Sequence, residues 1–351
     1  MYPTVLNRIE SFSNELLLDI FEYLDAFDLY QAFYGLNYRI NNLLQSAQLH
    51  IVYDSLQERN SIRHTLLPCM KSSQIRMVSF YNDLNIDSQF LSSTNENLRL
   101  VRLHEINPQS TNATFQHIPA SNQIKCLSIR ERRDYTKRNN SCFLNIVFVD
   151  QAHRFKCLVN LSLSLAGFTA VFPTVSIRFL ELRRFSISNY YWTIDFLGFL
   201  QNNVPNLKSL HFIGNNRLLT MSSGPVLKHI TELHMNHSGS SANLQTILSL
   251  FPCLCRLHLD QSSSHRSEII NGVQWQMLIE SYLPHLKQLT IDFGEGIDED
   301  IVQTFYTGEF WIAKKVMVKM IVNKSQFRYR LVKLIYFGHP WHFKYFHNFN
   351  S

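Results

Sequence analysis

Charged residues are scarce in this chain of 351 residues: Asp, Glu, Lys and Arg together make 17%, against 45% hydrophobic residues. That balance excludes a disordered, highly charged protein. Neither sign dominates, with 33 basic residues against 27 acidic and a net charge of +6. The excess is too small to argue for nucleic acid as a partner. Glycine is sparse too, eleven in all, and no G-x-G-x-x-G, P-loop, G-x-S-x-G or H-E-x-x-H occurs. The usual sequence grounds for an enzyme are therefore missing, so no catalytic residue and no cofactor is expected. The six cysteines, at 69, 126, 142, 157, 253 and 255, form no C-x-x-C. With no leader-like run at the start, reduced thiols in the cytosol or nucleus are the expectation.

One stretch, Cys157 to Ile177, has no charge at all, but Asn160, Gly167, Pro173 and several Ser and Thr interrupt it. A spanning helix needs about 20 predominantly apolar residues. A buried strand followed by a loop is expected, and no membrane partner.

What the chain does have begins at residues 9 to 47, IESFSNELLLDIFEYLDAFDLYQAFYGLNYRINNLLQSA. Ser13 can cap a helix whose apolar positions are Leu16, Leu17, Ile20, Phe21 and Leu24, one broad stripe. Asp28 can cap a second helix bearing Leu29, Ala32, Phe33 and Leu36. Ile40, Leu43 and Leu44 suggest a third. Roughly forty residues this apolar seldom hold a fold unaided, which implies a surface that a partner covers.

In the order of its residues this segment resembles the F-box. Phe12, Glu15, Leu16, Leu17, Ile20, Phe21, Tyr23 and Leu24 match the opening helix, LPxELLxxIFxYL. Asp28, Leu29, Ala32, Phe33, Leu36, Asn37 and Arg39 match its continuation. Phe12-Ser13 stands where the family has Leu-Pro, and no Trp follows the second helix. The resemblance implies docking on the Skp-type adaptor of a cullin–RING ubiquitin ligase. It implies contacts through Phe12, Leu16, Leu17, Ile20, Phe21, Leu24, Leu29, Phe33 and Leu36. The competing expectation is a helical cap that closes the rest of the fold.

Downstream, the phrase L-x-x-h-x-h, with h apolar, occurs nine times, starting at Ile75, Leu98, Ile124, Leu158, Leu182, Leu207, Ile230, Leu254 and Leu286. The starts are 23, 26, 34, 24, 25, 23, 24 and 32 residues apart, mostly within the leucine-rich-repeat range. Helical stretches lie between, at Asp195–Leu200, Leu244–Leu248 and Trp275–Ile279. Three of them run into Pro205, Pro252 and Pro284 two residues before the next phrase. The arrangement resembles the leucine-rich repeats that often follow an F-box. The expected fold is α/β: an N-terminal three-helix F-box followed by a curved leucine-rich-repeat solenoid with a parallel sheet on its concave face. An ordinary parallel α/β sheet is the alternative.

The expected organisation is an F-box-like region at 1–50, a bridge of weak helical periodicity at 51–72, repeats at 73–307 and an irregular cap at 308–351. Val316–Met320 alternates like a last strand, and the aromatic PWHFKYFHNFNS is expected to fold back on the stack.

If positions one, four and six of each phrase point inward, positions three and five point out. Position five reads His211, His234 and His258 in three successive phrases, and Arg102 in an earlier one. Position three adds Arg184, Glu232 and Arg256. These seven are the candidate contacts to an unidentified protein target, with an acidic or phosphorylated segment as the ligand that charged imidazoles would favour. No metal site is expected, because a row of His on a flat sheet suits tetrahedral coordination poorly and no carboxylate motif completes a set. Two insertions, the basic stretch Lys125–Arg138 and the Ser-rich Gln261–Gly272, are further candidate surfaces. The acidic run Glu295–Asp300 is expected to cap the helix after it. The function expected is a non-catalytic substrate receptor of an SCF-type ligase, cytoplasmic or nuclear. Its partners are the adaptor and, through it, the cullin. The alternative is a repeat scaffold outside any ligase.

Overall fold

The computed structural model describes residues 9–53, 66–81, 97–117, 124–132, 141–169, 172–191, 193–215, 224–236, 241–261, 270–293, 299–313, 317–322 and 330–337. The chain divides into two compact units, Met1–Ala166 and Gly167–Ser351.

The first unit opens with three helices, α1 (Asn14–Glu22), α2 (Ala26–Phe33) and α3 (Tyr38–Leu44). Each has a side-chain cap on its first turn. Ser13 accepts from the Leu16 amide at 3.3 Å and Asn37 from the Ile40 amide at 2.9 Å. The cap of α2 is Asp25, not Asp28: the Asp28 amide donates to Asp25 Oδ1 at 2.9 Å. Both residues are acidic and three apart, and the helix starts early enough to place Asp28 inside its first turn. Gly35, at φ +82°, turns the chain between α2 and α3. Arg39 ties the start of α3 back to Asn14 Oδ1 at 2.8 Å.

Five parallel strands follow: β1 (Leu49–Tyr53), β2 (Ile75–Tyr81), β3 (Leu100–Ile106), β4 (Cys126–Glu131) and β5 (Asn160–Thr169). The expected helical bridge therefore begins as a strand. Leu49, Ile51 and Tyr53 alternate into the core, a period-two pattern too short to stand out from the residues around it. The bridge residues 54–65 lie outside the described residues. The charge-free stretch forms β5 and then a loop, as its Asn, Gly and Pro foretold. Helices α4 (Pro108–His117) and α5 (Ser141–Asn145) lie between strands, and Phe115 meets Phe155 edge-on at 4.9 Å. The helices are joined to this sheet. Buried Gln74, just before β2, donates to the carbonyls of Leu44 at 2.7 Å and Ala47 at 3.2 Å.

The second unit has five more parallel strands: β6 (Arg184–Tyr191), β7 (Ser209–Asn215), β8 (Glu232–Asn236), β9 (Arg256–Gln261) and β10 (Gln288–Phe293). Helices α6 (Ile194–Asn202), α7 (Ser241–Ser249) and α8 (Gly272–Tyr282) separate them, and α9 (Glu299–Thr307) and α10 (Glu309–Ala313) come after. The three stretches read as helical are helical. Asn271 and Gln274 close a capping box on α8. The expected last strand is β11 (Met317–Val322). A further strand, β12 (Arg330–Phe337), lies between it and β10, antiparallel to both. Sequence reading missed β12 because its Leu331, Leu334 and Tyr336, though spaced like the phrase, come 45 residues after the previous start at Leu286. The tail PWHFKYFHNFNS, residues 133–140 and 262–269 of the two insertions, and 294–298 of the acidic run lie outside the described residues. Glu299 and Asp300 open α9.

The repeat phrase has one structural meaning throughout. Its three apolar positions are buried in all nine copies. The carbonyl at position two accepts from the amides of positions two and three of the next phrase, at 2.8–3.0 Å. This holds for Arg99 and Lys125 in the first unit, and for Arg183, Lys208, Thr231 and Cys255 in the second. Pro205, Pro252 and Pro284 each sit second in a turn whose first carbonyl, of Val204, Phe251 or Leu283, accepts from the amide that opens the phrase. Proline's fixed φ suits that position. Two phrases end in a bulge at position eight, Glu105 (φ 54°) and Asn189 (φ 58°), where the pairing register shifts.

Among the described residues no helix is long and apolar enough to cross a membrane, and no disulfide joins two cysteines.

Candidate functional site

In the second unit the strands carry three rows of side chains on the face opposite the helices. Phe196 of α6 packs on Phe185 and Phe212, which stand at positions four and six. Positions three, five and seven therefore face away. In-register pairing places His211 beside His234 and His234 beside His258. The three imidazoles stack with centroids 4.0 Å apart and planes within 7° and 10° of parallel.

Position seven supplies what the earlier reading lacked. Asp260 and Asp292 are paired neighbours on β9 and β10. His234 Nε2 lies 3.1 Å from Asp260 Oδ2, and His258 Nε2 lies 3.1 Å from Asp260 Oδ1 and 2.9 Å from Asp292 Oδ2. One carboxylate is thus shared by two imidazoles, and one imidazole nitrogen by two carboxylates. The side chains are between 23% and 37% exposed, so the cluster is open to solvent but not freely hydrated. The phrase extended by one residue, L-H-L-D at 257–260 and L-T-I-D at 289–292, contained this signal. Position seven shares a face with position five.

The charges follow from the contacts. Hydrogen bonds to Asp260 and Asp292 push the His258 pKa up to about 9 against the cost of burial. Bonds from His234 and His258 hold the Asp260 carboxyl well below the usual carboxylate range. Burial, and then the neighbouring His234, push His211 down to about 4. His211 is therefore neutral at physiological pH, with Nδ1 3.4 Å from Ser186 Oγ. Two carboxylates, of Asp260 and Asp292, face His258.

The other candidates divide between the units. Glu232 and Arg256 form an ion pair at 2.7 Å, largely exposed and worth at most about 1 kcal/mol. Arg184 is exposed on β6, in the same row as Ser209. Arg102 belongs to the first unit, exposed on β3.

Arg102 matters there for another reason. His50 on β1 is half-buried and bonded to Ser79 Oγ at 2.9 Å. Burial and then the Arg102 charge push its pKa down from 6.5 to about 4, with Asp25 opposing weakly. The unfolded chain binds a proton near pH 6.5 that the folded chain refuses until about 4. Stability contributed by neutral His50 is therefore whole above pH 6.5 and is lost as pH falls towards 4. After discounting for solvent screening the loss is about 1 kcal/mol. Urea unfolding of His50→Gln at neutral pH and near pH 5 should show a shallower fall in stability than wild type. An identical fall in the two proteins would assign the slope to other groups.

The adaptor contacts divide by burial. Leu17 and Leu29 have no exposure, Phe21 has 1% and Phe33 has 7%. Phe21 meets Phe33 at 5.0 Å inside the helical core. These four serve this chain's own fold, which corrects their assignment as partner contacts. A stripe that is apolar at i and i+1 places one of each adjacent pair inward. Phe12, Ile20 and Leu24 are half-buried, while Leu16 and Leu36 are exposed at 45% and 51%, as are Tyr23, Tyr34 and Tyr38.

No protein-family model and no curated protein matches the chain.

Proposed function

We propose that this chain is the substrate-recognition subunit of an SCF-type cullin–RING ubiquitin ligase, acting in the cytosol or nucleus. Its N-terminal helices act as an F-box that docks on a Skp-type adaptor and, through it, on a cullin. Its repeats act as a leucine-rich solenoid that holds the target. The chain performs no chemistry itself; it raises the effective concentration of a target lysine near a conjugating enzyme.

The observation that carries this reading is the run of exposed apolar groups along residues 16–38, on and between the N-terminal helices. Five of the twelve large exposed hydrophobic side chains among the described residues, Leu16, Tyr23, Tyr34, Leu36 and Tyr38, fall within one short stretch. The other seven are scattered from Val149 to Ile312. Concentrated apolar exposure marks interaction surfaces, whereas isolated exposed residues do not. The order of residues shared with the F-box indicates which partner to test.

The test is co-purification of tagged full-length chain, wild type against Leu16→Asp with Leu36→Asp, with the proteasome blocked. The double variant should lose adaptor and cullin by about 1,000-fold, as two anchoring side chains at about 2 kcal/mol each require. Adaptor retained by the variant would overturn the interface. Adaptor absent from the wild type would overturn the ligase reading in favour of the scaffold.

A further inference from the structure

We infer that His234, His258 and Asp260 form a binding site for a divalent transition metal, for which zinc is the fitting probe. Three observations converge on it.

The first is the meeting of ligand atoms. His234, His258 and Asp260 each offer one donor atom, and these all lie within 4.8 Å of one another. Asp292 Oδ2 lies 2.9 Å from His258 Nε2 but is not one of these mutually close atoms. A tetrahedral zinc with bonds of about 2.0–2.1 Å holds its ligand atoms about 3.3 Å apart. The nitrogen–oxygen separations of 3.1 Å need to widen only slightly.

The second is charge. The Asp260 carboxylate and two neutral imidazoles would hold a divalent cation, and the neighbouring Asp292 carboxylate would offset its remaining charge. Without it, the Nε2 protons carry that role poorly, since the single proton on His258 Nε2 faces two carboxylates. On binding, each imidazole takes the neutral form protonated on Nδ1, the extra proton of charged His258 goes to solvent, and each Nε2 gives its lone pair to the ion. No redox change is involved. Mixed imidazole and carboxylate donors favour zinc and its neighbours over calcium or magnesium, which take oxygen ligands.

The third is room to adjust. The stacked rings of His234 and His258 direct their Nε2 atoms side by side, so coordination requires the rings to turn towards each other. Both side chains are about a third exposed, at 29% and 33%, and the opening is towards solvent. His211 is different: its Nε2 is buried without a hydrogen-bond partner and no carboxylate reaches it, so it stacks on the site without joining it.

The site would tie β8 to β9, two successive strands separated in sequence by α7. It goes beyond the receptor reading and does not depend on it.

The test is zinc titration of metal-stripped full-length protein by calorimetry, with thermal melting alongside. One zinc should bind at micromolar concentration and raise the melting temperature, with no competition from magnesium or calcium. His258→Gln and Asp260→Asn should each weaken this binding by about 100-fold or more, while His211→Gln retains it. X-ray absorption of the loaded wild type should show only nitrogen and oxygen neighbours near 2.0 Å. Sulfur neighbours at about 2.3 Å would assign the metal to cysteines and overturn the proposal. So would zinc bound equally by the Gln and Asn variants, or not bound by the wild type. Should either variant fail to fold, the absorption spectrum of the wild type decides.

Discussion

Replacing Leu17 with Asp should unfold the N-terminal helices, while replacing Leu16 with Asp should leave them standing. The two residues are adjacent on α1, yet Leu17 has no exposure and Leu16 has 45%. Losing the Leu17 side chain from a packed interior costs about 2–5 kcal/mol, and an unpaired carboxylate in its place adds a further desolvation cost. The sum is comparable with the whole stability of a small folded region. At Leu16 the carboxylate reaches water, and a change within about 0.5 kcal/mol is expected. Hydrogen exchange at the amides of α1, α2 and α3 measures the difference directly. Protection kept in Leu17→Asp would show that the helical core is not organised around this residue. The contrast also separates folding from binding, because loss of adaptor in Leu17→Asp alone would carry no information about the interface.

Phe196→Ala should be the most damaging single truncation in the second unit, at about 3–5 kcal/mol. Phe196 has no exposure and lies against the rings of Phe172 at 5.4 Å, Phe212 at 5.9 Å and Phe185 at 6.1 Å. It sits in the first turn of α6, beside the cap at Thr193. There it joins the helix to two successive strands through positions four and six of their phrases. Removal leaves a cavity that the surrounding rings fill poorly, since both strands are held in register by their backbone bonds. Denaturant unfolding should show a lower midpoint with an unchanged slope. A shift worth less than about 1 kcal/mol would mean the site collapses around the gap.

Much of this architecture was legible because it is local. A phrase with apolar residues at one, four and six specifies a strand and the side that goes inward, and every copy obeys. Three of the helices between phrases, α6, α7 and α8, were legible from their spacing and the prolines after them, whereas α4 and α5 were not read. Three further features were not legible. Strand β1 is short and shares no phrase with the others. The cap of α2 falls on Asp25, because two acids three apart make equal claims until the start of the helix is known. Strand β12 runs antiparallel and lies outside the repeat spacing.

The candidate site was half legible. The row of His211, His234 and His258 could be read from position five. Which residues surround it could not, since His234 and Asp260 are 26 residues apart and His258 and Asp292 are 34 apart. In the N-terminal helices the apolar stripe was legible, but its division into core and surface was not.

The sequence by itself determined the strand-and-helix alternation, the buried positions of every phrase and the three-helix opening. Each depends only on periodicity along a few consecutive residues. Only the tertiary structure decided that two carboxylates join two imidazoles and that Leu17 turns inward while Leu16 does not. Those outcomes depend on the register between separate strands and on the rotation of one helix against its neighbours, and neither is encoded within a single element.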